Sequence, residues 1–120
     1  MTDASQEVIT GLLAAAIEAA PFATLITDAR VVVFANAAAR KLLKCEDRLT
    51  LEGKLVSEIV HRDGLETSRM RAEILKRSSN ALHNLPVKLV ALDGSRVSLL
   101  VAGTPIELRD RLYFMFTAEE

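Results

Sequence analysis

Apolar positions recur along the chain in two rhythms, and the changes of rhythm mark its elements. From about residue 5 to 20 the spacing is helical. Val8, Leu12, Ala16 and Ala19 form one stripe, and Ile9, Leu13, Ile17 and Ala20 form a second. Ser5 is a fitting N-cap, Ala and Leu favour the helix interior, and Pro21 stops it. Phe22–Thr27 and Val31–Ala35 are rich in β-branched residues and read as two short strands, joined by a hairpin turn at Asp28-Ala29-Arg30. Asn36 then opens an Ala-rich helix, Ala37 to Leu43, whose free N–H groups it can cap.

Residues 45–53 are polar and irregular. A short apolar segment with Leu55, Ile59 and Val60 follows, then a loop at His61-Arg62-Asp63-Gly64 and a longer helix over about 65–76. Ser78-Ser79-Asn80 breaks that helix. Three strands close the pattern: Leu85–Leu92, Val97–Thr104 and Leu112–Thr117. Asp93-Gly94 is the hairpin turn between the first two, and Arg109-Asp110-Arg111 lies between the last two. Strands segregated from helices in this order predict an α+β fold on an antiparallel sheet.

The length of 120 residues fits one domain, and 50% hydrophobic with 26% charged residues is globular composition. With four Phe, one Tyr and no Trp, aliphatic side chains must fill most of the core. The net charge is −1, and Glu73 interrupts the basic residues Arg69, Arg71, Lys76 and Arg77, so the pattern argues against direct nucleic-acid contact. One cysteine, Cys45, excludes an internal disulfide and fits a reducing compartment. Glu18 and Pro21 argue against a membrane span in the apolar stretch 8–27, since a central acidic residue costs about 2.5–3.5 kcal/mol on insertion scales. Asp3 and Glu7, with no preceding Lys or Arg, do not fit a signal peptide. A soluble cytoplasmic protein without membrane partners is expected.

Several motifs align in order with one family. The first strand is approached by Ala19-Ala20-Pro21-Phe22 and ends Leu25-Ile26-Thr27-Asp28. The second runs into Phe34-Ala35-Asn36-Ala37-Ala38-Ala39. Gly53 is followed by Ile59-Val60-His61-Arg62-Asp63, the late turn is Asp93-Gly94-Ser95, and Pro105-Ile106 comes after. In this order the motifs resemble the PAS domain family over about Leu12–Ala118. The resemblance implies a PAS-like five-stranded antiparallel sheet flanked by helices, with residues 1–20 as an N-terminal dimerisation or capping helix and 21–120 as the sensor domain. The runs Ala35–Leu43 and Leu49–Leu55 are similar to PAS domains placed ahead of a LuxR-type helix-turn-helix. Sensor histidine kinases are the competing context. Neither effector has room in 120 residues, so the DNA-binding or kinase domain is expected outside this chain. The family's C-terminal Asp-Ile-Thr coupling motif is replaced by Thr117-Ala118-Glu119-Glu120.

In the family a cavity lies between sheet and helices. Placing Asp28 and Asn36 at the family positions and alternating along each strand predicts that Leu25, Thr27, Val33 and Ala35 face inward, with Ile26, Val32 and Phe34 outward. Val87, Leu89, Leu99 and Val101 extend the expected ligand-binding set across the later strands, with Lys88 wet. Leu43, Ile59, Met70 and Ile74 join it from the helices, and Asn36 from its cap position. Such a wall suits a small apolar ligand. The second helical stripe needs a cover of its own, so Val8, Leu12, Leu13, Ala16 and Ile17 are the expected homodimer interface.

Cofactors are not expected. Cys45 lies outside the family's flavin-adduct motif, and 65–77 holds no histidine where the haem ligand of oxygen-sensing relatives stands, which leaves His61 and His83 misplaced. Two histidines and one cysteine, far apart, make no zinc site. No phosphate loop, nucleophile elbow or acid–base constellation is present, so an enzyme is not expected.

Overall fold

The computed structural model describes residues 4–28, 30–45, 47, 51–61, 64, 70, 73–74, 77 and 81–119. Helix α1 (Ala4–Ala19) leads into strands β1 (Thr24–Thr27) and β2 (Val32–Ala35), helix α2 (Ala37–Leu42) and one turn of helix α3 (Val56–Ile59). Strands β3 (Leu82–Val90), β4 (Arg96–Leu108) and β5 (Arg111–Ala118) follow. The expected sheet is present, with five antiparallel strands in the order β2-β1-β5-β4-β3. The first hairpin therefore lies beside the last strand, so the sheet cannot close until the whole chain is available. Much of the expected helix 65–76 lies outside the described residues. Met70, Glu73, Ile74 and Arg77 are helical.

The turn between β1 and β2 is held by Asp28, whose carboxylate accepts the N–H groups of Val31 and Arg30, each at 3.0 Å. These bonds hold its carboxyl below the ordinary carboxylate range, helped by the Arg111 guanidinium at 3.7 Å. Asp93 does the same work in the β3–β4 turn through the Ser95 N–H at 2.9 Å, beside Gly94 at φ +87°.

Asn36 joins four parts of the chain. It is fully buried, and its Oδ1 accepts from the Ala39 N–H at 3.0 Å, capping α2, and from the Thr24 N–H at 2.9 Å, opening β1. Its Nδ2 donates to the carbonyls of Ile17 at 3.0 Å and Phe22 at 2.9 Å, at the end of α1 and in the link after it. Arg40 strengthens this junction. Its guanidinium grips Glu18 at 2.8 and 3.1 Å and donates to the Ala35 carbonyl at 2.8 Å, and the Glu18 bond raises its already high pKa.

The strand alternation expected for β2 fails at one residue. Ile26 pairs with Phe34 but Thr27 pairs with Val32, so Val33 is the extra residue of a β-bulge. The bulge inverts the pattern on its far side. Val32 is buried, whereas Val33 is 41% exposed. Val32 and Ala35, on the same face as their ladder partners Thr27 and Leu25, pack together with Ala39, Leu43, Cys45, Leu51 and Ile59 as a closed core.

Helix α1 also differs from expectation. Neither apolar stripe is covered by the domain: Val8, Ile9, Leu12, Leu13 and Ile17 are all exposed, Val8 at 68% and Leu12 at 66%. The helix is held at its C-terminal end, through Glu18–Arg40 and the carbonyl of Ile17, rather than laid on the sheet.

Two outcomes test this account. Asn36→Ala leaves the Thr24 and Ala39 N–H groups without their acceptor. It also takes the amide donor from the Ile17 and Phe22 carbonyls, which keep only the Ala20 N–H at 3.3 Å and the Thr24 hydroxyl at 3.2 Å. The substitution is expected to cost about 3 kcal/mol in denaturant unfolding. Asn36→Asp keeps the shape but loses both donors, and is expected to be no better. Asp28 works in the acid range. Its folded pKa is depressed, so its contribution is complete above its unfolded value and is lost as pH falls through the folded one. Asp28→Asn should therefore flatten the fall in stability below about pH 4. An unchanged acid limb would show that the turn bonds do not favour the ionised form.

Candidate functional site

The concave face of the sheet and the helices enclose a cavity of about 160 Å³. Its sheet wall is built by alternation. Ala23, Leu25 and Thr27 point in from β1 and its approach, Phe114, Phe116 and Ala118 from β5, Leu99 and Val101 from β4, and Leu85, Val87 and Leu89 from β3. Ala39, Leu42 and Leu43 close it from α2 and the turn after it, and Val56, Ile59 and Val60 from α3 and its end. The α3 side is fixed to the sheet edge by the Val60–Leu89 bridge and by the His61 N–H donating to the Lys88 carbonyl at 2.8 Å.

Eight of the thirteen expected ligand-binding residues line this cavity: Leu25, Thr27, Leu43, Ile59, Val87, Leu89, Leu99 and Val101. Five do not. Val33 is turned to solvent by the bulge. Ala35 faces inward as expected, beside its ladder partner Leu25, but it is enclosed in the core that adjoins the cavity and does not line it. The Asn36 amide is consumed by the α1–β1–α2 junction. Met70 and Ile74 are helical but 62% and 52% exposed, so that helix turns them away from the cavity. His83, expected in a linker, lies in β3 and is exposed, with Nδ1 3.6 Å from the Glu119 carboxylate.

The lining residues not anticipated from sequence are Phe114, Phe116 and Ala118 on β5, Ala39, Leu42, Val56 and Val60 on the helical side, and Ala23 and Leu85. Leu112, Phe114 and Phe116 alternate with Tyr113 and Met115, and both series are apolar, so periodicity leaves the inward face of this strand open. Its register, Thr27 to Phe114 and Gly103 to Phe116, decides the matter. Ala23 and Leu85 were within reach of the alternation that gives Leu25 and Val87.

No side chain on the described wall is ionisable, and Thr27 is the single polar one. Cys45 is buried in the neighbouring core, its Sγ 2.9 Å from the Asp47 carbonyl. Among the described residues no group of three or more His, Cys, Asp or Glu side chains could hold a metal ion. No helix among them is long and apolar enough to cross a membrane.

The model of one family, the PAS domain, matches residues 11–79, more than half of the chain. The chain belongs to the PAS domain family. Solved PAS domains share its fold at low sequence identity. That of an HTR-like protein from Haloarcula marismortui superposes with a TM-score of 0.80 at 17% identity, over 96% of this chain and 93% of that one. That of a two-component sensor histidine kinase gives 0.77 at 15% identity, over 95% and 97%. That of nitrogen regulation protein NR(II) from Vibrio parahaemolyticus gives 0.66 at 22% identity, over 91% and 97%. No curated protein sequence matches the chain at a significant level.

The position of Ala35 changes what a mutation there should do. Ala35→Leu has no cavity to enter and is expected to cost about 1–3 kcal/mol by overpacking. Val101→Phe instead points into open space and should leave unfolding within about 1 kcal/mol of the native value. The opposite ranking in denaturant melts would place the open space beside Ala35 and not beside Val101.

Proposed function

We propose that this PAS domain is a cytoplasmic sensor module that holds a small, largely apolar molecule in its cavity and regulates a linked effector. The observation that carries this reading is the wall itself. Apolar side chains from four strands and two helical segments converge on empty space, as in ligand pockets generally. The wall supplies no acid–base pair, which supports a binding module rather than an enzyme and a site without metal, haem or flavin.

The effector is proposed to be a LuxR-type DNA-binding domain, on the strength of the Ala35–Leu43 and Leu49–Leu55 runs. A histidine kinase is the second reading, favoured by the likeness to the PAS domain of such a kinase. In either case β5 is the natural route out. Its Phe114, Phe116 and Ala118 touch the cavity, and the next residue, Glu119, accepts the Asn84 N–H at 2.8 Å. Leu85, adjacent to Asn84, is also in the wall. The clasp therefore joins two strands that an occupant would press on.

The same reading gives α1 to a second copy of the chain. Two uncovered apolar stripes on one helix form a patch of the kind that marks an interface, and a two-fold pairing closes it with one surface. Val8, Leu12, Leu13, Ala16 and Ile17 remain the proposed contacts.

Native mass spectrometry of freshly purified protein tests the ligand, with Val101→Phe as the control that fills the site. A retained small molecule on the native protein, lost in the variant, is expected; none on either would count against the reading. Light scattering at micromolar concentration tests the pairing. A dimer is expected, dissociated by Leu12→Glu or Leu13→Glu, and a monomeric native protein would remove α1 from any self-interface.

A further inference from the structure

Among the described residues, Thr27 is the one lining residue with a polar side chain, and it is only 3% exposed. Its backbone is used by the ladder to Val32 and Phe114. Its hydroxyl has no hydrogen-bond partner among the described residues, in contrast to Thr24, whose hydroxyl donates to the Phe22 carbonyl at 3.2 Å. Among the described residues, no fully enclosed side-chain nitrogen or oxygen lacks a partner. An unpaired hydroxyl on so buried a residue must then keep its remaining contact with open space, and the space that Thr27 borders is the cavity.

From this we infer that the cavity selects an uncharged molecule with an apolar body and a single oxygen function, which pairs with the Thr27 hydroxyl. The inference rests on the ligand-binding reading and specifies its chemical class. Size follows from volume. A cavity of about 150 Å³ lined by aliphatic and aromatic side chains holds benzene, so the 160 Å³ here suits a body of roughly six to eight non-hydrogen atoms. Charge follows from the wall. A carboxylate or ammonium would lose its hydration and meet no ionisable side chain among the described lining residues. A hydroxyl can donate to a carbonyl or accept from an alcohol, so one such group on the ligand completes the site. A second would face hydrocarbon.

Cyclohexanone, methylcyclohexane and cyclohexanecarboxylate serve as probes, since the first two match in heavy-atom count and differ in the oxygen. Binding is followed by NMR shifts of the cavity methyl groups in the native protein, Thr27→Val and Thr27→Ser. Thr27→Val keeps the side-chain shape and removes the hydroxyl; Thr27→Ser keeps the hydroxyl. Cyclohexanone is expected to bind the native protein and Thr27→Ser alike, and Thr27→Val about three- to tenfold more weakly. Methylcyclohexane should bind Thr27→Val at least as well as the native protein, and the carboxylate should bind none of them. Equal cyclohexanone affinity in native protein and Thr27→Val, with methylcyclohexane still binding, overturns the inference and leaves the cavity reading standing. Carboxylate binding comparable to the ketone overturns it as well. If neither neutral probe binds any of the three proteins, the cavity reading itself fails, and this inference with it.

Discussion

One buried amide holds this fold in register. Asn36 sits where helix α1, strand β1 and helix α2 meet, and each of those ends exposes backbone groups that the local structure cannot satisfy. A helix N-terminus needs acceptors, and a helix C-terminus needs donors. Of the side chains short enough to be buried at this point, an amide offers both, two lone pairs on one atom and two N–H bonds on the other. A carboxylate would supply only acceptors, and a hydroxyl only one donor. The chemical demand is therefore for Asn itself, which is why a residue that looks like an ordinary cap is wholly enclosed. Its role also explains why it cannot meet a ligand, since its hydrogen-bonding capacity is spent on the backbone.

The cavity follows from what the chain lacks as much as from what it has. With five aromatic residues, only two of which reach the wall, the concave face of the sheet is covered by aliphatic side chains and by the small groups Ala23, Thr27, Ala39 and Ala118. Interiors normally pack to the density of organic crystals, so space of this size among apolar groups forfeits dispersion contacts. The domain carries that cost at the cavity, while beside it the hairpin and α2 pack a closed core with Leu43, Leu51 and Ile59 fully enclosed. Ala39, Leu43 and Ile59 belong to both regions. The closed core can thus keep the wall upright whether or not the cavity is filled.

The strands, their turns and the inward faces of β3 and β4 could be read from the sequence, because Asp-Gly turns and period-two patterning are local signals. Lys88 between Val87 and Leu89 fixes the phase of β3 on its own. Three things could not be read. The bulge at Val33 arises from pairing between strands, and no residue in Val-Val-Val-Phe marks which one will be extra. The inward face of β5 stays open because both of its faces are apolar. Helix α1 has two apolar stripes, and a single chain does not reveal that the domain covers neither. The errors at Val33, Met70 and Ile74 share this origin: each needed a tertiary contact to set its direction.

The two ends of the described chain are coupled to the cavity by different physics. Ala23 and Leu25 flank Thr24, whose N–H is bound by Asn36, and Asn36 in turn holds the last carbonyls around α1. This path runs through short, buried hydrogen bonds in a medium of low polarity, where a displaced partner is costly. At the other end, the Glu119 carboxylate reaches the Asn84 N–H and His83 at an exposed edge of β3, where water can replace either partner at little cost. The end of β5 is held besides by its backbone, the Glu119 N–H donating to the Leu100 carbonyl at 2.7 Å and the Ala118 N–H to the Ala23 carbonyl at 2.9 Å. Within the sensor reading, a load on the wall reaches α1 through the Asn36 amide and reaches Glu119 through these ladder bonds, with the exposed clasp the weaker part. Because β1 and β5 pair directly, from Thr24–Thr117 to Thr27–Phe114, neither path can be loaded without the other strand sensing it.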